Sequence, residues 1–226
     1  MSNKDQKIAI VTGASKGVGY ATVKLLSKNG YKVIAVSRDL SKIKDLISDN
    51  VEVYQMDITN SSEIKNFYDK YKDITLDLLV NNAGGGSGPT YIANETMDNF
   101  RKAYDINVSG PMYLSQLFIS SMEKSKSPTI IFISSLGGKF AYRSGGNYTN
   151  AKRGMMALVD TMRLEFPAYG IKVTEICPGT IDTQKEKRDI ALTAEDMAEC
   201  ILWVSELPSH VNINHIELNH IDSGKY

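Results

Sequence analysis

Short runs of Val, Ile and Leu alternate along the whole chain with longer stretches in which apolar residues return every three or four positions. The short runs are KIAIVTG at 7–13, YKVIAVS at 31–37, VEVYQM at 51–56, LDLLVNNAG at 76–84, TIIFISS at 129–135, IKVTEICPG at 171–179 and NINHIEL at 212–218. Most are nearly continuous in apolar character, as strands covered on both faces must be; a half-solvated strand would alternate. The amphipathic stretches near 18–29, 39–48, 61–72, 95–125, 147–167 and 194–205 predict helices. Pro111, which has no N–H to donate, is expected at a helix start or a bend inside the long fourth stretch. The alternation predicts an α/β fold, a doubly wound parallel sheet of about seven strands with helices on both faces. No linker, repeat or low-complexity tract interrupts it, so one domain over residues 1–226 is expected.

Charge and cysteine usage remove several classes of partner. In 226 residues, 26 basic side chains balance 26 acidic ones, so no net field gathers nucleic acid or an anionic membrane, and neither is expected as a partner. The densest basic cluster, QKEKRD at 184–189, is broken by acids and reads as a solvated loop. Cys177 and Cys200 lie in apolar surroundings without metal-ligand spacing and read as buried thiols of a reducing compartment. The opening MSNKDQKIAIVTG lacks the apolar core of a signal peptide, and no run approaches a membrane span, so a cytoplasmic location is expected. His210, His215 and His220 recur every five residues, an interval that alternates faces on a strand, and no metal site is expected from them.

Two motifs carry candidate chemistry. TGASKGVG at 12–19 follows the first predicted strand and opens the first predicted helix. A glycine-rich turn there lets backbone N–H groups approach a pyrophosphate, and the helix N-terminus adds partial positive charge. In NYTNAK at 147–152, Tyr148 and Lys152 stand one helical turn apart, so an ammonium can act on a phenol. Alone, that spacing is common in helices.

Together with other segments these motifs resemble the short-chain dehydrogenase/reductase family, in its ordinary single-domain form, over essentially the whole chain. The matching positions are Thr12, Gly13, Gly17 and Gly19; NNAG at 81–84; Asn107 in DINVSG; ISS at 133–135; Tyr148 and Lys152; and Pro178–Gly179 with Thr183 shortly after. The resemblance implies a Rossmann-type nicotinamide site and a catalytic tetrad of Asn107, Ser135, Tyr148 and Lys152. Ser135 is preferred to Ser134 because it lies thirteen residues before the tyrosine and strand alternation turns its neighbour the other way. Tyr148 would act as general acid or base. Lowering a phenol from about 10 to about 7 takes about 4 kcal/mol. One ammonium about 4 Å away, at an effective dielectric near 20, supplies on the order of 4 kcal/mol. Asn107 would hold a water beside the lysine, or serve as a structural amide in a helix kink.

The same resemblance places the cofactor. Thr12, Gly13, Ser15, Lys16, Gly17, Val18 and Gly19 would hold its phosphates, Asp57 and Ile58 its adenine, and Asn81, Ala83 and Gly84 its ribose side. Tyr148, Lys152, Pro178, Gly179, Ile181 and Thr183 would flank the nicotinamide. Where NAD-selective sites carry an acid, at the end of the second strand, this chain has Ser37 and Arg38. Arg38 can pair with a 2′-phosphate, Lys16 adds a second cation, and Asp39 is read as the cap of the following helix, so NADP is expected over NAD. The implied function is reversible hydride transfer between NADP(H) and a small carbonyl or alcohol substrate. The alternatives are an NAD-dependent alcohol or 3-hydroxy acid dehydrogenase and a non-catalytic dinucleotide-binding regulator. LPSHVNINHIEL at 207–218 resembles the branch acting on serine and small 3-hydroxy acids. Excess apolar residues over 151–166 predict at least a dimer, and the resemblance implies a homodimer or homotetramer built on the stretches 95–125 and 147–167.

Overall fold

The structure, a computed structural model, describes residues 6–182 and 190–223. The chain begins with β1 (Ile8–Thr12), α1 (Gly17–Lys28), β2 (Lys32–Ser37), β3 (Val51–Gln55), α2 (Ser61–Tyr71) and β4 (Leu78–Asn81). It continues with α3 (Met97–Tyr104), α4 (Gly110–Leu117), α5 (Ile119–Met122), β5 (Thr129–Ile133) and the short α6 (Leu136–Lys139). The long α7 (Gly146–Glu165), β6 (Lys172–Pro178), α8 (Ala194–Ser205) and β7 (His215–Leu218) complete it. No helix among the described residues is long and apolar enough to cross a membrane.

All strand pairs are parallel, and the order β3-β2-β1-β4-β5-β6-β7 gives the seven-stranded, doubly wound sheet that the periodicity predicts. Side-chain alternation divides the core between its two faces. Ala9 and Val11 of β1 pack with Val23 and Leu26 of α1 and Met197 and Ile201 of α8. Ile10 packs on the other face with Phe67 of α2, Leu114 of α4 and Met155, Val159 and Met162 of α7. Each of these Val, Leu, Ile, Phe and Met side chains contributes roughly 1.5–3 kcal/mol on burial. The strand order reverses between β1 and β4, and a parallel sheet opens a crevice at the carboxyl ends of its strands at that point.

Three predicted elements differ. The helix expected at 39–48 is two single 3-10 turns, Leu40–Lys42 and Lys44–Leu46. There the Asp39 carboxylate accepts from the Ser41 N–H and hydroxyl (3.0 and 2.6 Å), a local bonding pattern that competes with a continuous α-helix. The stretch at 95–125 is broken into α3, a π-helical segment Asp105–Ser109, α4 and α5. Pro111 lies in the first turn of α4 and has no N–H to offer the Asn107 carbonyl four residues back. The last strand begins at His215 rather than 212, because the Asn212 side chain instead accepts from the Val173 N–H (2.9 Å).

Candidate active site

The glycine turn leaves β1 tightly against β4. Gly13 and Gly17 have φ of +69° and +52°, a backbone region costly to residues with a Cβ. A Cβ on Gly13 would lie 2.9 Å from both the Ala83 Cα and the Asn82 amide nitrogen, and one on Gly19 would lie 2.4 Å from the Gly13 carbonyl oxygen. Gly17, by contrast, faces open space. Asn82 locks the turn: its Nδ2 donates to the carbonyls of Thr12 (2.9 Å) and Gly13 (3.2 Å). Thr12 Oγ1 accepts in return from the N–H groups of Asn82 (3.1 Å) and Ala83 (3.0 Å). The first turn of α1 has no side-chain cap, so its N–H groups are available to an anion. A pyrophosphate fits this donor set.

A cleft of about 470 Å³ runs from this turn along the strand ends. Thr12, Gly13, Ser15, Lys16, Gly17, Val18, Ser37, Arg38, Ile58, Ala83, Gly84, Ser135, Tyr148, Lys152, Pro178, Gly179 and Ile181 line it. Gly19 does not; it is packing against Gly13. Asn81 is not at the cleft either. Fully buried in β4, its amide donates to the Ser115 hydroxyl (3.0 Å) and ties the sheet to α4, while the next residue, Asn82, reaches the cleft. Asp57 is not among the lining residues: its Oδ1 accepts from the Thr59 N–H and hydroxyl (2.9 and 2.8 Å), shaping the entry to α2. Thr183 and the cluster at 184–189 lie outside the described residues.

At the β2 end of the cleft three cations, Lys16, Arg38 and Lys42, face one carboxylate, that of Asp39. The two Ser41 bonds occupy that carboxylate and hold it below its ordinary range, with Lys42 3.6 Å away. Asp39 therefore caps a 3-10 turn instead of a helix. Lys42 escapes sequence reading, because only the turn brings it round to the cleft.

At the other end, Ser135 closes β5 and caps α6, its Oγ accepting from the Gly137 N–H (3.0 Å). Of the two adjacent serines, Ser135 is the one whose hydroxyl acts on the Tyr148 phenol: its Oγ and the Tyr148 ring would each lie 3.3 Å from a Cβ on Gly137. Burial pushes that phenol up from its ordinary value, and the neighbouring Ser135 hydroxyl opposes the rise. Lys152 is buried, and its Nζ donates to the Ile133 carbonyl (2.8 Å) from 5.9 Å off the centre of the Tyr148 ring. Burial lowers this lysine to about 8. Asn107 sits in the π-helical segment behind Gly84, where its Nδ2 donates to the carbonyls of Gly85 (2.6 Å) and Ala103 (2.7 Å). A Cβ on Gly84 would lie 2.8 Å from Asn107 Oδ1 and 3.1 Å from Lys152 Nζ, so that glycine keeps the amide and the ammonium on one small space.

One support is not visible in sequence patterns. The Glu95 carboxylate accepts from the Asn147 N–H (3.2 Å) and Nδ2 (2.6 Å) at the start of α7, one residue before Tyr148. A carboxylate is favoured at a helix N-terminus, and here it anchors the turn that aims the phenol.

Comparison with known proteins agrees with this fold. The family described as short chain dehydrogenase matches residues 7–191. The NADP-dependent 3-hydroxy acid dehydrogenase YdfG of Escherichia coli K12 is 30% identical over 232 residues, covering 93% of this chain and 94% of that protein. Among solved structures, the closed form of serine dehydrogenase complexed with NADP+ superposes with a TM-score of 0.88 at 27% identity, covering 96% of both chains. Serine dehydrogenase from Escherichia coli gives 0.86 at 30% identity, over 96% of this chain and all of that one (100%).

Proposed function

This chain belongs to the short-chain dehydrogenase family, and on that premise we propose that it is an NADP(H)-dependent oxidoreductase interconverting a small 3-hydroxy acid and its carbonyl form. The observation that carries the reading is the meeting of Ser135, Tyr148 and buried Lys152 at the end of the cleft that begins at the glycine turn. The names of the similar proteins support the substrate class.

The glycine turn and the open first turn of α1 would hold the pyrophosphate, and Arg38, Lys16 and Lys42 the 2′-phosphate. When bound, the cofactor supplies or accepts the hydride. In reduction, Tyr148 gives its proton to the substrate oxygen while the Ser135 hydroxyl donates a hydrogen bond to the same atom. Burial keeps the phenol protonated near neutral pH, which suits this acid role. In oxidation Tyr148 takes the proton back, and the Lys152 charge stabilises the phenolate. That help fades as Lys152 loses its own proton above about pH 8. Asn107 fixes the backbone around Gly85 beside the lysine.

The test is nicotinamide absorbance with a panel of 3-hydroxy acids, polyols and small ketones, using both cofactors, on wild type and Tyr148→Phe. Turnover of a 3-hydroxy acid with NADP, abolished in the variant while NADPH still binds, is the expected result. Near-normal turnover by Tyr148→Phe would sink the mechanism.

A further inference from the structure

Strands β6 and β7 carry a group of donor atoms that the proposed reaction does not use. Glu175 and Cys177 are two residues apart on β6 and share a face, and the parallel register sets His215 beside Glu175 and Glu217 beside Cys177. Glu175 and Cys177 are 1% and 0% exposed, and His215 is half-buried at the rim. His215 Nδ1 lies 3.2 Å from Glu175 Oε2 and 3.9 Å from Cys177 Sγ. One donor atom from each of the three falls within 4.8 Å of the others. The second carboxylate oxygen, Glu175 Oε1, is buried and has no hydrogen-bond partner among the described residues. An idle oxygen on a buried carboxylate is costly unless something answers it.

The geometry points to a divalent-metal site, fitted to zinc(II), made by Glu175, Cys177 and His215. In tetrahedral zinc, bonds of about 2.3 Å to sulfur and 2.0–2.1 Å to nitrogen and oxygen set N and O ligands about 3.3 Å apart and S and N about 3.6 Å apart. The observed 3.2 and 3.9 Å come within a few tenths of an ångström of those values. A thiolate, an imidazole and a carboxylate form a borderline-soft set that suits zinc better than magnesium or calcium. On binding, the Cys177 thiol gives its proton to solvent, and the thiolate and the Glu175 carboxylate balance the two positive charges. Neutral His215 ligates through Nδ1, and a water completes the fourth position. The other ring nitrogen, Nε2, is 3.1 Å from Glu217 Oε1, the carboxylate partner that orients a metal-bound histidine. Lys139 pairs with Glu217 and holds it in place. Spacing along the chain hides the set, because the histidine comes from the neighbouring strand.

The full-length protein, prepared without a polyhistidine tag and stripped with a chelator, is titrated with cobalt(II) as a spectroscopic substitute for zinc. The expected result is one equivalent bound, with near-ultraviolet thiolate charge transfer and the intense visible bands of four-coordinate cobalt, both lost on adding zinc(II). Zinc at a hundredfold excess over its Kd should raise the melting temperature by about 5–10 °C. Cys177→Ser should remove the charge-transfer band, and Glu217→Gln should weaken cobalt binding at least about tenfold with the spectrum unchanged. A spectrum no different from aqueous cobalt, or one that survives Cys177→Ser, overturns the site and leaves a His215–Glu175 pair of structural use alone. If Cys177→Ser does not fold, Glu217→Gln decides: unchanged affinity there also overturns it.

Discussion

Replacing Lys152 with methionine should separate what the lysine does for the reaction from what it costs the fold. Its side chain is 4% exposed, and burial lowers it from 10.5 to about 8. At about 1.36 kcal/mol per tenfold change in proton affinity, the charged form is penalised in the folded protein by about 3 kcal/mol. The unfolded chain holds this proton more tightly, so the penalty is full below about pH 8 and disappears as pH rises toward 10.5. Wild-type stability therefore gains from this group as pH increases through that window. Lys152→Met removes the penalty but leaves the Ile133 carbonyl without its donor, a loss of about 1–3 kcal/mol. The variant should be near wild type or about 1–2 kcal/mol more stable at pH 7, and its advantage should shrink by about 2 kcal/mol by pH 9.5. Turnover at pH 7 should fall by a hundredfold or more. Urea unfolding at the two pH values, beside steady-state kinetics, measures both. A stability difference that does not move with pH would show that the buried ammonium is not the penalised group, and unimpaired turnover would remove Lys152 from the reaction.

Arg38→Asp should lower NADPH affinity roughly ten- to a hundredfold while NADH affinity holds or improves, since one charge-assisted contact is worth about 1.5–3 kcal/mol; equal weakening of both cofactors in a titration would count against the 2′-phosphate contact. Lys42→Ala should give a smaller loss of the same sign, read in that titration. Glu95→Ala should lower kcat about tenfold with cofactor affinity unchanged, because it loosens the start of α7 and not the phosphate end; a change confined to cofactor binding would contradict this. Met156 and Leu158 remain partly exposed and Leu164 is 86% exposed on α7, so light scattering should find at least a dimer, and a lone 25.0 kDa species at micromolar concentration would argue against it.

Strand–helix alternation was legible in the sequence because burial on both faces forces continuous apolar runs, and that pattern survives any detail of packing. The glycine turn was legible for a similar reason, since positive φ and close backbone approach leave few residues to choose from at Gly13 and Gly17. Tyr148 and Lys152 share a helix face by spacing alone. Other features depended on bonds between distant segments, which no local pattern carries. The 39–48 stretch is an exception: a local bond between Asp39 and Ser41 competes with the helix its periodicity predicts, and the resulting turn brings Lys42 to the cleft. Asn81 and Asn82 are equivalent in sequence, and strand alternation sends one to Ser115 and the other to the glycine turn. Glu95 reaches Asn147 across 52 positions, and Glu175 meets His215 across 40. Periodicity fixes which face of an element is apolar; which side chains meet is decided only when register and packing set the elements side by side.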